Sequence, residues 1–576
     1  MRLSLILVPV AVVLFAVFPL TDTDIWWHLA CAREWVTTWT PVREPVVNVH
    51  EYFQQIVAFV YNIGDAPLLV AFKALLWGAV FMLFLLPSIR SSKLKDENDA
   101  ENREGLSPIM FAGIVVLLFV FRYQFEIRPV LLSMLFLGIY WNLLPWLFYG
   151  WREERKTKHR AEPKKFHYVF HRAFRYLAGN KLVGVLLVLF IQWIWCKCQG
   201  LYILGLIFAY GFFLYGLWYR RWVNFGKVRQ WNGVRIPFKI LAWQVLFIIL
   251  LFAVPFFHRD GVNLLPYPFE LLDRLVGLSS SAIVFSNEIA ENRSPITLLL
   301  NGENALQSAL MIVLCVWGII LAGIRWKSEP APYLSWQLSW LPKERIDAIF
   351  NRRLQPSWLF ITAILSLIAE RNFVLFFPVF LAVLVCIPKR QSSSRFRLRS
   401  RLAEKSRKLG AKLKLMNRPI LTSDFLLAAV VLAFVFGQWV KSVSSYDSMI
   451  AYQRVPVGAA HWMMENPHPG RLFNDDRAGG YLAFMNPYDS TYIDGRFILK
   501  TAEFFERYLS YAKIPRLFLV DADSLDIDRV VLPLRYYARW GDLIETLDSS
   551  ENWHVGYRDS LFVVMDRTER QDVRFK

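Results

Sequence analysis

Residues 21–64 read TDTDIWWHLACAREWVTTWTPVREPVVNVHEYFQQIVAFVYNIG, and they decide how the remainder of the chain is read. One apolar run, 3–20, ends directly before them, and another, 67–87, begins just after. Asp22, Asp24, His28, Arg33 and the pair His50–Glu51 lie between. Ionisable groups set against a membrane span mark a candidate functional site, because charge close to lipid is costly. The spacing predicts a helix from Asp24 to about Trp39, stopped before Pro41. On such a helix Asp24, His28 and Cys31 share one face. Trp26, Trp27, Trp35 and Trp39 suit the headgroup zone as interface anchors. Asp22 suits a helix N-cap as well as a site. His28 and His50 suit interfacial hydrogen bonding better than metal ligation.

Outward from this stretch, the chain has 576 residues, 55% of them hydrophobic and 16% aromatic, with mean hydropathy +0.32. Long apolar runs on that background exclude a soluble protein and give a polytopic α-helical membrane protein. The runs fall at 3–20, 67–87, 107–121, 129–149, 182–196, 201–219, 240–257, 306–324, 357–369, 373–388 and 424–442, about eleven spans. The first reads as an uncleaved signal anchor, since FPLTDTD follows it without a small-residue cleavage site. Cys31, Cys196, Cys198, Cys315 and Cys386 lie in or beside apolar segments and read as buried apolar residues.

The formal net charge of +19 sits in loops between spans, which argues for topology and against nucleic acid. Loops 150–181, 220–239, 325–356 and 389–423 carry about ten, six, six and twelve Lys or Arg. Their alternation puts the N-terminus in the cytoplasm of a plasma membrane, and 21–66, 122–128, 258–305 and everything after 442 outside. That alternation requires a break between two spans at Glu370–Arg371–Asn372. Loop 389–423 reads either as an amphipathic helix on anionic lipid or as a solvated linker.

From about Ser444 the apolar runs shorten to strand length and the charges balance. Strands are predicted at 471–474, 490–496, 529–534, 552–559 and 561–567, with the last two forming a hairpin. Helices are predicted at about 455–466, 501–512 and 538–548. Residues 1–442 are therefore read as a transmembrane domain and 443–576 as an extracytoplasmic α/β domain. In the latter, Asn474, Asp475, Asp494 and Arg496 end short strands beside Gly479–Gly480 or Gly495. Such groups suit a sugar or peptide contact and suit turn capping equally.

Three patches carry a resemblance. They are DTDIWWHLACAREWV with the later HEYFQQIVAFVYNIG, RYQFEIRPVLLSMLFL at 122–137, and VPVGAAHWMMENPHPGRLFNDDRAGGYLAFMNPYDSTYIDGR at 455–496. Together they resemble bacterial GT-C-like membrane glycosyltransferases, over most of the chain and in order. The resemblance implies a polyprenyl-phosphate sugar donor, a soluble domain outside the membrane, and an acid of the first outer loop as base or metal ligand. By position it implicates Asp22 or Asp24. The chain departs from the group where a W-x-N-x-H-G pattern is expected. It has Trp195-Cys196-Lys197-Cys198-Gln199-Gly200, and LLPYPFELL at 264–272 stands for an NPYG-like stretch. The missing Asn and His imply a changed substrate or reduced activity if those residues act in relatives.

The chemistry makes its own demands. Sugar transfer from a lipid phosphate needs a base near the acceptor hydroxyl, and a partly buried carboxylate serves. The leaving phosphate needs positive charge, from Arg or a divalent ion such as Mg or Mn. Asp24 or Asp22 is the expected base, with Glu51 in support. Arg122, Arg128 and Arg371 are expected at the phosphate, and Arg33, His28 and His50 are further substrate-binding candidates; each arginine could instead snorkel to headgroups. Two other readings are a GT-C-like scaffold with altered catalysis and a lipid-carrier flippase. The flippase is disfavoured because the charges lie at span ends and no repeated halves appear.

Overall fold

The computed structural model describes residues 2–43, 47–95, 106–149, 181–225, 238–276, 279, 283–327, 354–385, 417–443 and 448–568. Most of the expected basic loops 150–181, 220–239, 325–356 and 389–423, and Cys386, lie outside these residues; the last seven residues expected in loop 389–423 are helical, in Asn417–Val443. Each apolar run read from the sequence is helical: Arg2–Phe15, Glu51–Lys95, Pro108–Val120, Pro129–Tyr149, Lys181–Cys196, Tyr202–Phe225, Phe238–Ala253, Ala305–Lys327, Gln355–Ile368, Phe373–Val385 and Asn417–Val443. A lipid environment favours this, since a helix satisfies its own backbone groups. Among the described residues, Glu51–Ile89, Ala305–Trp326 and Phe425–Val443 are each long and apolar enough to cross a membrane. Leu241–Phe257 and Gly261–Asp273 add a pair bent by 111°. The chain is a membrane protein.

The long helix Glu51–Lys95 is two helices in one. Gly64 and Asp65 leave helical geometry, and Asp65 takes φ 50°. A left-handed aspartate just before Pro67 ends the first piece and lets the span start on a new axis. A second break comes where expected, as the short 3-10 turn Glu370–Asn372 between Gln355–Ile368 and Phe373–Val385. Aromatic side chains fill the space between spans, with Phe15, Trp77, Phe84, Trp141, Trp195 and Phe373 all buried in one cluster.

The C-terminal residues build a four-stranded sheet, β1 (Arg471–Asn474), β2 (Ile527–Pro533), β3 (Trp553–Arg558) and β4 (Phe562–Arg567), in the order β1-β2-β4-β3. β1 and β2 are parallel, and β4 runs antiparallel to both β2 and β3. The β3–β4 hairpin is as expected. Residues 490–496 are not a strand. Only Thr491 pairs, in an isolated bridge with Thr38 of segment 21–64. Two helices were not anticipated, Asp476–Met485 and Pro515–Ser524. Both lie in the β1-to-β2 crossover, which a parallel pair requires.

The segment after the first apolar helix does not stay with the helical bundle. Leu20, Ile25, Trp26 and Leu29 share one buried cluster with Leu472, Tyr481, Val531 and Phe562. Trp26 stands edge-on to Tyr481 at 4.8 Å between ring centroids. The indole nitrogen of Trp39 donates to the Leu472 carbonyl at 2.9 Å. These tryptophans therefore join the loop to the C-terminal fold rather than anchoring it in headgroups. The helix that carries Trp26 is shorter than expected, Asp24–Cys31, and Trp39 lies beyond it. Beyond it Val36, Thr37 and Thr38 are β-branched, and their stretch of backbone bonds elsewhere. The Thr491 N–H donates to the Thr37 carbonyl and the Trp39 N–H to the Thr491 carbonyl, each at 3.0 Å. The Gly479–Gly480 pair permits this docking. A Cβ on Gly480 would stand 2.9 Å from the Trp27 amide nitrogen, and one on Gly479 would strike the Ile493 carbonyl.

Candidate functional site

After the first apolar helix, Leu20 bridges to Ile450 and the chain turns into the helix Asp24–Cys31. Asp22 sits in that turn, 5% exposed. Its Oδ1 accepts from the Asp24 N–H at 3.4 Å, a cap-type contact at the start of the helix, whereas Thr23 makes no side-chain cap bond. Asp22 also accepts two bonds from Arg128, from Nε at 2.7 Å and from a terminal nitrogen at 2.9 Å. Arg128 is placed by Pro129, which opens the next helix with the residue before it held in the loop. The same guanidinium makes a second bidentate pair with Glu291, at 2.6 and 2.8 Å. One arginine is thus shared by two carboxylates from segments far apart in sequence.

Asp24 begins the following helix beside this trio. Burial raises its pKa first, then the charge of Asp22, against the opposing pull of Arg128; the net is about 7. Arg371, from the break between two spans, is close enough for the Asp24 charge to act on it. It donates to the Asn292 side-chain oxygen at 3.0 Å. Burial lowers the Arg371 pKa, yet an arginine still keeps its charge at neutral pH. Burial would raise Glu291 too, but Arg128, then Arg371 and Arg454, outweigh it and hold it near 2. Asp24, Asp22, Arg128 and Arg371 thus meet in one place, with Glu291 and Asn292 completing the cluster.

A second buried acid lies behind it. Thr21 donates to Glu126, whose other carboxylate oxygen is buried without a partner. Burial raises Glu126 to about 7, with Lys73 opposing. Lys73 is fully buried within its helix and donates to the Phe18 carbonyl at 3.0 Å. It ties the chain just after the first apolar helix to the helix Glu51–Lys95.

The other expected residues are placed elsewhere. Glu51 pairs with Lys197 at 3.1 Å, and Lys197 also pairs with Asp260 at 2.9 Å. Arg33 donates to the Phe484 carbonyl at 3.0 Å and lies over that ring, clamping the C-terminal fold. Arg122 folds back on its own turn, bonding the Phe119 carbonyl and the Tyr123 hydroxyl and stacking on both rings. His28 and His50 stand edge to face at 5.3 Å, and burial pushes both below the ordinary imidazole range, His50 to about 4. His50 meets the Cys198 carbonyl at 3.2 Å, while Nδ1 of His28 is buried and unpartnered. Asn474 is fully buried and braces the 492–493 turn, accepting from the Tyr492 N–H and donating to the Ile493 carbonyl. Asp494 and Arg496 pair with each other, and Arg496 also donates to the Trp35 carbonyl and the Thr37 hydroxyl. These three are internal braces.

Glu291 and Asn292 were not singled out from sequence. Segment 258–305 holds several similar charges, and nothing local separates Glu291 from Glu288. Lys73 and Glu126 carried a usable signal: a lysine inside an apolar run is costly and calls for a partner.

Among the described residues, no group of three or more His, Cys, Asp or Glu is placed to hold a metal ion. Asp22 and Glu291 both pair with the Arg128 guanidinium, so as arranged these two carboxylates do not fit a shared cation.

No family model matches the sequence, and no curated protein matches it. Among solved structures, the chain is similar to the archaeal oligosaccharyltransferase AglB from Archaeoglobus fulgidus in complex with an inhibitory peptide and a dolichol-phosphate. That likeness is at 12% identity and TM-score 0.49, over 100% of this chain and 75% of that one. It is also similar to the Archaeoglobus fulgidus oligosaccharyltransferase tethered with an acceptor peptide containing the NVT sequon, at 13% identity and TM-score 0.48, over 99% and 74% of the two chains. The apo form matches at 13% identity and TM-score 0.47, over 94% and 72%. Likenesses of this degree carry no argument about what the chain does.

Proposed function

We propose that this chain is an integral-membrane glycosyltransferase that moves a sugar from a polyprenyl-phosphate donor to an acceptor on the outer side of the membrane. In this reading the apolar helices form about eleven spans, the N-terminus is cytoplasmic, and residues 443–576 form an outer domain over the site. The observation that carries it is the cluster in which Arg128 pairs with Asp22 and Glu291 and Arg371 bonds the adjacent Asn292, with Asp24, two residues after Asp22, raised to about 7 by burial and by the Asp22 charge.

In the reaction, Asp24 takes the proton from the acceptor hydroxyl as its oxygen attacks the anomeric carbon. The bond from that carbon to the phosphate oxygen breaks, and the lipid phosphate leaves with the electron pair. A base with pKa near ambient pH suits this task. Arg128 and Arg371 offer fixed positive charge to the leaving phosphate, where it is worth more than in water. No step is routed through a metal ion.

Turnover of a lipid-linked sugar by the reconstituted chain tests the reading. Asp24→Asn is expected to lower turnover at least about a hundredfold, the usual weight of a general base. Unchanged turnover in that variant would remove Asp24 from the chemistry.

A further inference from the structure

Resting on that reading, we propose that the turn Ala290–Arg293 is a self-plug: Glu291 occupies the place of the lipid phosphate, and the donor must displace it. The turn engages both candidate phosphate ligands at once. Glu291 holds Arg128 through a bidentate pair at 2.6 and 2.8 Å. One residue on, Asn292 accepts from Arg371 at 3.0 Å. Arg454, which donates to the Thr21 carbonyl at 3.3 Å, also acts electrostatically on Glu291.

A carboxylate facing several guanidinium groups is an anion site filled by the chain's own anion. The bidentate geometry that fits a carboxylate also fits a phosphate. The two acids on Arg128 differ in how easily they leave. The Asp22 side chain is 3% exposed and fixed in a packed turn, so it keeps Arg128 aimed. The Glu291 side chain is 47% exposed on a single 3-10 turn, and Arg128 supplies all its short-range bonds among the described residues. Glu291 can therefore be reached and exchanged while Asp22 stays. Removing it would leave the site positive and empty of its internal competitor, which raises the apparent affinity for an anion.

The test is binding of farnesyl phosphate to the full chain in nanodiscs, with farnesol and inorganic phosphate as separate probes for tail and headgroup. Glu291→Gln is expected to bind farnesyl phosphate about tenfold more tightly than the wild type. Farnesol should be unaffected. Asn292→Ala, which frees Arg371 and leaves Arg128 paired, is expected to tighten it less, and it decides the matter if Glu291→Gln does not fold. If the wild type binds and these variants bind no better, Glu291 is no plug and the functional reading stands. If neither the wild type nor any variant binds farnesyl phosphate above farnesol, both the plug and the phosphate site fall.

Discussion

Two acid–arginine groups in this chain use the same chemistry under different conditions. In the C-terminal fold, Asp494 and Arg496 are 1% and 3% exposed at the side chain. Arg496 is saturated by Asp494, the Trp35 carbonyl and the Thr37 hydroxyl. Burial alone would raise Asp494, but its bonds to Arg496 hold the carboxyl below the usual range. Beside the start of the helix Asp24–Cys31, Arg128 is 30% exposed and Glu291 47%. There the neighbouring acid, Asp24, rises to about 7. A group whose hydrogen bonds are all satisfied inside the protein is a brace. A group whose partner can be reached from outside is available for ligands, and the residue types alone do not distinguish the two.

The sharpest break of this contrast is Arg496→Met. It leaves Asp494 buried without its partner, and a loss of about 3–5 kcal/mol is expected. A denaturant midpoint for the C-terminal fold measures it, and a loss below about 1 kcal/mol would mean the pair is far less buried in solution.

Next in size is the pH profile of the other group. Only deprotonated Asp24 can accept a proton, so wild-type turnover should rise with pH through about 7. Asp24→Asn, with its hundredfold loss, should lack that limb. An unchanged limb in the variant would assign the titration to another group, Glu126 being the first to examine.

A smaller effect is expected at Lys500. Its ammonium donates to Thr38, Thr40 and Pro41. Burial lowers its pKa from 10.5 to about 8. Between those values the unfolded chain holds the proton more often than the folded one, so stability from this group increases as pH rises from about 8 to about 10.5. It is lost as pH falls through about 8. Lys500→Met should remove that gain, read as a flatter difference in unfolding midpoint between the two proteins.

The smallest expected effect separates the arginines themselves. Arg122 stacks on Phe119 and Tyr123, so Arg122→Gln should leave farnesyl phosphate binding within about twofold. Arg371→Gln should weaken it several-fold, since a guanidinium bond to phosphate is charge-assisted. Equal losses would erase the distinction between a snorkelling arginine and a site arginine.

Much of the helical part was legible because apolar runs leave the backbone little choice. The prediction overran at Trp39 because the apolar and aromatic pattern continues after Cys31, while the backbone there bonds to Thr491 from the far end of the chain. Asp22 and Asp24 were legible as charges against a span. Glu51 was equally so, but its partner is Lys197, in the stretch that departs from the W-x-N-x-H-G pattern. Glu291 was invisible for the opposite reason: its loop is ordinary, and only its meeting with Arg128 sets it apart.

The sequence by itself determined that this is a helical membrane chain with acids just after its first apolar helix and a mixed fold near its C-terminus. Hydropathy and charge are local properties, and they are read residue by residue. The tertiary structure alone decided which acid meets which arginine, and which pairs are sealed or open. The open pairs depend on bidentate contacts a few ångströms long between segments 106 and 163 residues apart, and the sealed pair depends on Trp35 and Thr37 reaching Arg496 from the other end of the chain. No periodicity in the chain encodes such a contact, because it exists only after the helices and the C-terminal fold have packed.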